Sequence, residues 1–257
     1  MNVTLITGAT GGLGKAFCDI YASNNNNLVL VGTNDDKLEQ LKKELLSKYS
    51  VQIFCVSADL SQKEQFEKVF NFTKENGFFV DNLINCAGFG DRTDFKDMDI
   101  DLQLKMIEVN CNALLYFTRV YLDDMLKNNK GHIINVCSLA GFVPGPFMCT
   151  YHASKAFALN LTESIAHEIR KTNVKILALC PGPFTSGFVD KAKNDWTFKK
   201  LKPVPAEKIA KFAYKKSIKG KRIAIFGFVN KITAFAPRFF SRKFVAKVSA
   251  GTLKKGG

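Results

Sequence analysis

A short apolar run, Val3-Thr4-Leu5-Ile6, ends directly on Thr7-Gly8-Ala9-Thr10-Gly11-Gly12-Leu13-Gly14, and the following segment carries Leu13, Ala16, Phe17, Ile20 and Tyr21 at helical spacing. A strand that turns through glycines into a helix opens a βαβ unit, and the chain repeats that alternation to its last fifth. Further strands are predicted over residues 28–31, 51–56, from 82 to 85, 132–137, 174–179 and 222–226. Helices are predicted over 35–48, where Leu38, Leu41, Leu45 and Leu46 share a face, around Phe66, Val69, Phe70 and Phe72, and over 102–127 and 151–171. The only low-complexity run, Asn24 to Asn27, marks a helix-to-strand turn. Strands separated by helices pair in parallel through right-handed crossovers, and strands apolar throughout belong to a sheet covered on both faces. The expected fold is an α/β doubly wound, seven-stranded parallel sheet in one domain. Ligands of such sheets sit beyond the carboxyl ends of the strands.

With 257 residues, 46% of them hydrophobic, the chain can build one large core. The longest uncharged stretch, 131–154, is broken by Pro144, Pro146, His132 and His152, so no membrane-spanning helix is expected. No basic segment precedes the first apolar run, which leads straight into the glycine turn, so a signal peptide is not expected and a cytoplasmic protein is. Seven cysteines without a C-x-x-C pair argue against a disulfide framework or zinc site and for small buried hydrophobes, Cys111 and Cys137 among them. His132, His152 and His167 form no metal-ligand or triad pattern, and no metal is expected.

Charge is unevenly spread. Glu207 is the last acidic residue, and 14 of the 37 Lys and Arg follow it, leaving 23 basic against 23 acidic residues before; the whole formal +14 lies in the last fifth of the chain. Such asymmetry suits an anionic partner, either a membrane surface, an acidic carrier protein or a phosphorylated substrate, or else a solvated lysine-rich face.

The glycine turn lets the backbone approach a pyrophosphate, whose charge the helix N-terminus favours. Its spacing, Thr7-Gly8-x-x-x-Gly12-x-Gly14, resembles the T-G-x-x-x-G-x-G form of the short-chain dehydrogenase/reductase superfamily, and the resemblance covers nearly the whole chain. Asp59-Leu60 matches the family's adenine-contacting Asp. Asn85-Cys86-Ala87-Gly88 matches N-N-A-G with Cys86 in place of the second Asn. Pro181-Gly182 resembles the P-G turn beside the nicotinamide, and Ser186, next to Thr185, stands where a Thr often holds the carboxamide. The resemblance thus implies a Rossmann-like fold whose dinucleotide contacts come from Gly8, Thr10, Gly12, Leu13, Gly14, Thr33, Asp59, Leu60, Asn85, Ala87, Gly88, Tyr151, Lys155, Pro181, Gly182 and Ser186. At the end of the second strand an acidic residue would bind the ribose of NAD and repel the 2′-phosphate of NADP. Gly32 occupies that place, followed by Thr33 and Asn34, with Lys15 and Lys37 as nearby cations; NADPH is expected, with NADH as the other choice.

A Tyr-x-x-x-Lys pair arises by chance about once in a chain this rich in lysine, so Tyr151 and Lys155 carry weight only in conjunction with the glycine turn. With Asn110 and Ser138 they match the family's catalytic tetrad. A phenol needs a neighbouring cation to exchange protons at neutral pH, and Lys155 lies one helical turn from Tyr151 on the same face. The resemblance implies that Tyr151 protonates the developing alkoxide, Ser138 hydrogen-bonds the same oxygen, Lys155 also holds the ribose and Asn110 anchors a water leading to Lys155.

The segment at about 183–205, with Phe184, Phe188, Trp196 and Phe198, falls where the family places its substrate lid and suggests an apolar substrate such as an acyl chain, a steroid or another lipid ketone; the same aromatics would equally pack the lid on the body. Residues 1–228 form the predicted body and 229–257 a basic amphipathic extension, in which Ile232, Phe235, Phe239, Phe240, Phe244, Val245 and Val248 alternate with Lys231, Arg238, Arg242, Lys243 and Lys247. A helix of this kind lies in a membrane interface or docks on protein, and Pro237 interrupts it. No nucleic-acid-binding module is present. The expected protein is an NAD(P)-dependent oxidoreductase acting on a hydrophobic carbonyl or alcohol, and the resemblance implies a homo-oligomer. The alternatives are a 3-oxoacyl-carrier reductase that meets an acidic carrier through the tail, and a non-catalytic dinucleotide-binding sensor or scaffold.

Overall fold

The computed structural model describes residues 1–185 and 203–253. Seven parallel strands run β1 (Asn2–Thr7), β2 (Asn27–Gly32), β3 (Ile53–Ser57), β4 (Phe79–Asn85), β5 (His132–Val136), β6 (Lys175–Cys180) and β7 (Ile223–Ile225), in the spatial order β3-β2-β1-β4-β5-β6-β7. Strand order reverses between β1 and β4, which opens the crevice where ligands of doubly wound sheets bind.

Alternation along the strands sorts their side chains onto two faces. Ile6, Leu28, Leu30, Ile134 and Leu177 meet α1 (Gly12–Ser23), α2 (Asp35–Leu46) and α7 (Ala206–Ile218). Leu5, Val29, Val31, Leu83 and Ile133 meet α3 (Glu64–Glu75), α5 (Leu114–Lys127) and α6 (Cys149–Glu168). Both layers are therefore dry, as the apolar strands required.

Two predicted boundaries move for identifiable reasons. β4 begins at Phe79, earlier than the sequence suggested, because Asp81 interrupts the apolar run yet sits at the rim, accepting from Asn2 Nδ2 at 2.9 Å and facing Lys130 at 3.3 Å. The long helix begins at Ile100, where the Asp99 carboxylate caps the N–H of Asp101 at 2.8 Å. It is also interrupted: α4 (Ile100–Ile107) passes through a π-helical turn, Glu108–Ala113, into α5.

The C-terminal segment folds as two helices separated near Pro237. Gly227, at φ +88°, turns the chain into α8 (Phe228–Phe235), a 3-10 turn with Pro237 follows at Ala236–Phe239, and α9 (Arg242–Leu253) ends the described chain. Proline lacks the N–H that a continuous helix would use at that point. Among the described residues no helix is long and apolar enough to cross a membrane.

Candidate active site

β1 delivers Thr7 and Gly8 to the open edge. Gly8 has φ +64°, and a Cβ there would lie 2.9 Å from Ala87 Cα, so only glycine allows the turn after β1 to lie against the segment after β4. The Thr7 hydroxyl closes that contact, its oxygen accepting from the N–H groups of Cys86 and Ala87 at 3.0 Å each. A Cβ on Gly14 would lie 2.1 Å from the Gly8 carbonyl, which explains why the first turn of α1 can sit so tightly under the loop. The N-cap of α1 is Gly11, with no side-chain cap, so the N–H groups that begin at Gly12 are left to meet an anion. Leu13 itself is buried in the core.

The neighbouring strand ends complete this half. Gly32 ends β2 close to the Thr10 hydroxyl, which would be 3.5 Å from a Cβ there, and its carbonyl accepts from Ala58 N at 2.8 Å. Thr33 is exposed, while the Asn34 side chain is committed to capping α2 through Lys37 N at 2.8 Å. Asp59 is exposed with its carboxylate on Ser61 N at 3.0 Å, and Leu60 is buried. These residues form a row of glycines, hydroxyls and free N–H groups that fits a dinucleotide.

Asn85 turns the other way. Its amide donates to Thr118 Oγ1 at 3.0 Å and Asn135 Oδ1 at 2.8 Å, and Asn135 donates onward to Thr162 Oγ1 at 2.9 Å, so β4, β5, α5 and α6 share one buried network beneath the site. The Asn85 carbonyl oxygen is buried there without a protein partner. A polar Asn135 inside an otherwise apolar strand was the sequence signal for this network, as was the Thr7 of the glycine motif for its clasp.

The tetrad residues converge. Ser138 leaves β5 as the cap of a 3-10 turn, Leu139–Phe142, its Oγ accepting from Ala140 N at 3.1 Å, and it hydrogen-bonds the Tyr151 phenol. Burial pushes that phenol up to about 12, and the Ser138 bond opposes the rise. Lys155 is buried, its Nζ donating to Val136 O at 2.9 Å and lying 5.8 Å from the Tyr151 ring centroid; burial pulls its pKa down. Asn110, fully buried in the π-helical turn, accepts from Phe89 N at 3.0 Å and donates to Phe89 O at 2.9 Å and Ser154 Oγ at 3.0 Å. A Cβ on Gly88 would stand 3.0 Å from Asn110 Oδ1 and 3.2 Å from Lys155 Nζ, which brings these three residues to one point.

Two further groups border the site. His152 Nδ1 contacts Val143 O at 2.9 Å, and its ring lies so close to Gly145 that a Cβ there would be 2.1 Å from it. Asn230 of α8 covers Gly182, where a Cβ would come within 2.5 Å of its Nδ2, while that amide donates to Phe226 O at 2.7 Å. Pro181 is buried beside Gly182. Nothing in the sequence marked Asn230. Ser186, Phe188, Trp196 and Phe198 lie outside the described residues. Phe184 packs on the α1 and α7 layer and bridges to Val204. All seven cysteines are free, and burial pushes Cys86 and Cys111 up to about 12 and about 11, so both remain thiols at neutral pH. Among the described residues no cluster of side chains could hold a metal.

A family model described as short chain dehydrogenase matches residues 2–197. An uncharacterised oxidoreductase of Staphylococcus aureus is 31% identical over 202 residues, covering 79% of this chain and 86% of its own. A solved 7beta-hydroxysteroid dehydrogenase superposes with a TM-score of 0.87 at 27% identity, covering 97% of this chain and 96% of that one. A short-chain dehydrogenase from Sphingobium yanoikuyae in complex with NADPH gives a TM-score of 0.84 at 23% identity, over 93% and 94% of the two chains.

Proposed function

Because the chain belongs to the short-chain dehydrogenase family, whose members interconvert CH–OH and C=O with a nicotinamide dinucleotide, we propose that it is an NADPH-preferring reductase of hydrophobic ketones with Tyr151 as its proton donor. The observation that carries the reading is the Ser138–Tyr151 hydrogen bond beside the buried Lys155 ammonium, at the carboxyl edge of the sheet. When bound, the dinucleotide supplies hydride to the carbonyl carbon. Tyr151 gives its phenolic proton to the carbonyl oxygen, and Ser138 donates a hydrogen bond to the same atom. Lys155 holds positive charge behind the phenol and would hold the ribose of the bound dinucleotide. Asn110 fixes the Phe89 segment against α6.

NADPH preference rests on Gly32 and Thr33, which present no carboxylate at the end of β2. Phe184 and the aromatics of the same segment support an apolar substrate, and the relative named as a 7beta-hydroxysteroid dehydrogenase makes steroids the first compounds to screen. The exposed Ile100, Leu104, Leu115 and Phe157 on α4, α5 and α6 support a homo-oligomer assembled through the body, and the free thiols support a reducing, cytoplasmic setting.

Fluorescence titration of the purified protein with NADPH and with NADH, followed by a carbonyl screen with the tighter cofactor, tests the reading. Tighter NADPH binding with turnover of steroid or acyl ketones is the expected result. Tighter NADH binding would overturn the cofactor assignment, and dinucleotide binding without turnover on any carbonyl or alcohol would favour a sensor.

A further inference from the structure

α8 is built inside out. Its inward residues are small or polar, with Ala234 buried and Asn230 against Gly182, while Phe228, Val229, Ile232 and Phe235 face solvent, Phe228 at 77% exposure. These outward positions follow the i, i+1, i+4, i+7 spacing of one helical face. Phe239, at 72% exposure, and Phe240 continue the outward apolar surface through the 3-10 turn. α9 also leaves large apolar residues outside: Phe244 and Val248 point outward, while Ser249 and Leu253 are buried. A shallow apolar depression lined by Lys231, Ile232, Phe235, Ala236 and Phe239 lies on this surface, away from the tetrad.

Lys231, Arg238, Arg242, Lys243 and Lys247 are all exposed among these rings, and none makes a salt bridge among the described residues. The surface is therefore both apolar and uniformly cationic. Two such surfaces would repel each other across a symmetric contact, which disfavours a second copy of this chain as the occupant. An anionic bilayer satisfies both properties at once, since the rings enter the headgroup boundary while the cations meet lipid phosphates. We propose that α8 and α9 form a peripheral binding surface for anionic lipid membranes. The same segment is held to the body at two points: Asn230 covers Gly182, and Leu253 O accepts from Arg92 Nε at 2.6 Å, in the segment after β4.

The experiment is flotation of the full-length protein, with NADPH bound, on vesicles of phosphatidylcholine alone and of equimolar phosphatidylcholine and phosphatidylglycerol. Association about tenfold greater with the anionic vesicles is expected, lost on adding molar salt. Phe239→Ser should lower it severalfold while leaving turnover of a water-soluble ketone unchanged, because Phe239 touches none of the tetrad. Equal, negligible association with both vesicles would overturn the proposal. So would a concentration-dependent dimer that Phe239→Ser dissolves, or retention on an acidic carrier protein with no vesicle binding. Flotation needs no turnover, so this inference and the substrate assignment fail or hold separately.

Discussion

The strand-end site and the C-terminal helices obey opposite rules of burial. At the strand ends, Asn85, Asn110, Asn135, Lys155 and Thr162 are almost wholly buried, and each finds hydrogen-bond partners within the chain. In α8 the large apolar side chains are outside and the inward positions are small or polar, while α9 leaves Phe244 and Val248 outside and buries Ser249 and Leu253. Both departures from the usual sorting cost free energy if left uncompensated. The difference teaches that the body pairs most of its buried polar groups from within, the Asn85 side-chain oxygen excepted, whereas the tail leaves large apolar rings facing solvent.

The sharpest test of the strand-end half is Tyr151→Phe, which removes the proposed proton donor while keeping the ring. Turnover should fall by about 10²–10⁴ while NADPH binding is retained; steady-state kinetics with a parallel fluorescence titration reads both. The raised phenol pKa gives a second test. A group held at about 12 in the free protein keeps its proton across the neutral range, so kcat/KM for ketone reduction should be flat there. Alcohol oxidation needs the phenolate, and its kcat/KM should climb by about tenfold per pH unit toward alkaline pH. A flat oxidation profile would remove Tyr151 as the base.

Asn135→Ala probes the network rather than the chemistry. It removes one hydrogen bond each from the Asn85 amide, which keeps Thr118, and the Thr162 hydroxyl, which keeps Ala158 O, so the loss should be about 1–3 kcal/mol in all, and thermal unfolding should move down by several degrees. Gly182→Ala then tests whether body and tail are joined where Asn230 lies. It should cost about 1–3 kcal/mol by overpacking, and Asn230→Ala in the same chain should recover most of the loss, a coupling visible in a double-mutant cycle of denaturation midpoints. Phe239→Ser should change stability by less than about 0.5 kcal/mol, since the ring contributes nothing to the interior; a large destabilisation would erase the contrast between the two regions.

The contrast also separates what the sequence makes legible from what it hides. The seven strands are legible because each carries an apolar run; β4 starts at Phe79 rather than Asn82 because Asp81, a carboxylate placed at a sheet rim, interrupts that run, and β3 starts at Ile53 rather than Val51. The tetrad positions show because each follows a strand or sits in the next helix at a fixed offset, and the structure brings all four together. Orientation is different. The periodicity of residues 228–248 reveals a face but not which way it points, because pointing depends on what Gly227 and Pro237 do to the chain direction. Asn230 was invisible for the same reason, its partner Gly182 lying far away in sequence. The Thr7 clasp and the Asn85–Asn135–Thr162 chain involve residue types that ordinarily mark surfaces and turns, and only tertiary proximity gives them their meaning.

The π-helical turn at Glu108–Ala113 sets the two halves of the longest helix out of step. A wider turn spends more residues on one revolution than an α-turn does, so α4 and α5 each keep their own rhythm with a phase slip between them. Asn110 lies inside that slip. Deleting a single residue from the turn would let the helix run through in one uninterrupted phase, with α4 and α5 still able to coil, but the Asn110 carboxamide would swing away from both ends of Phe89. Its place is held by the length of the chain as much as by the identity of the side chain. Point substitutions that spare Asn110 can therefore miss a dependence that a one-residue deletion would expose.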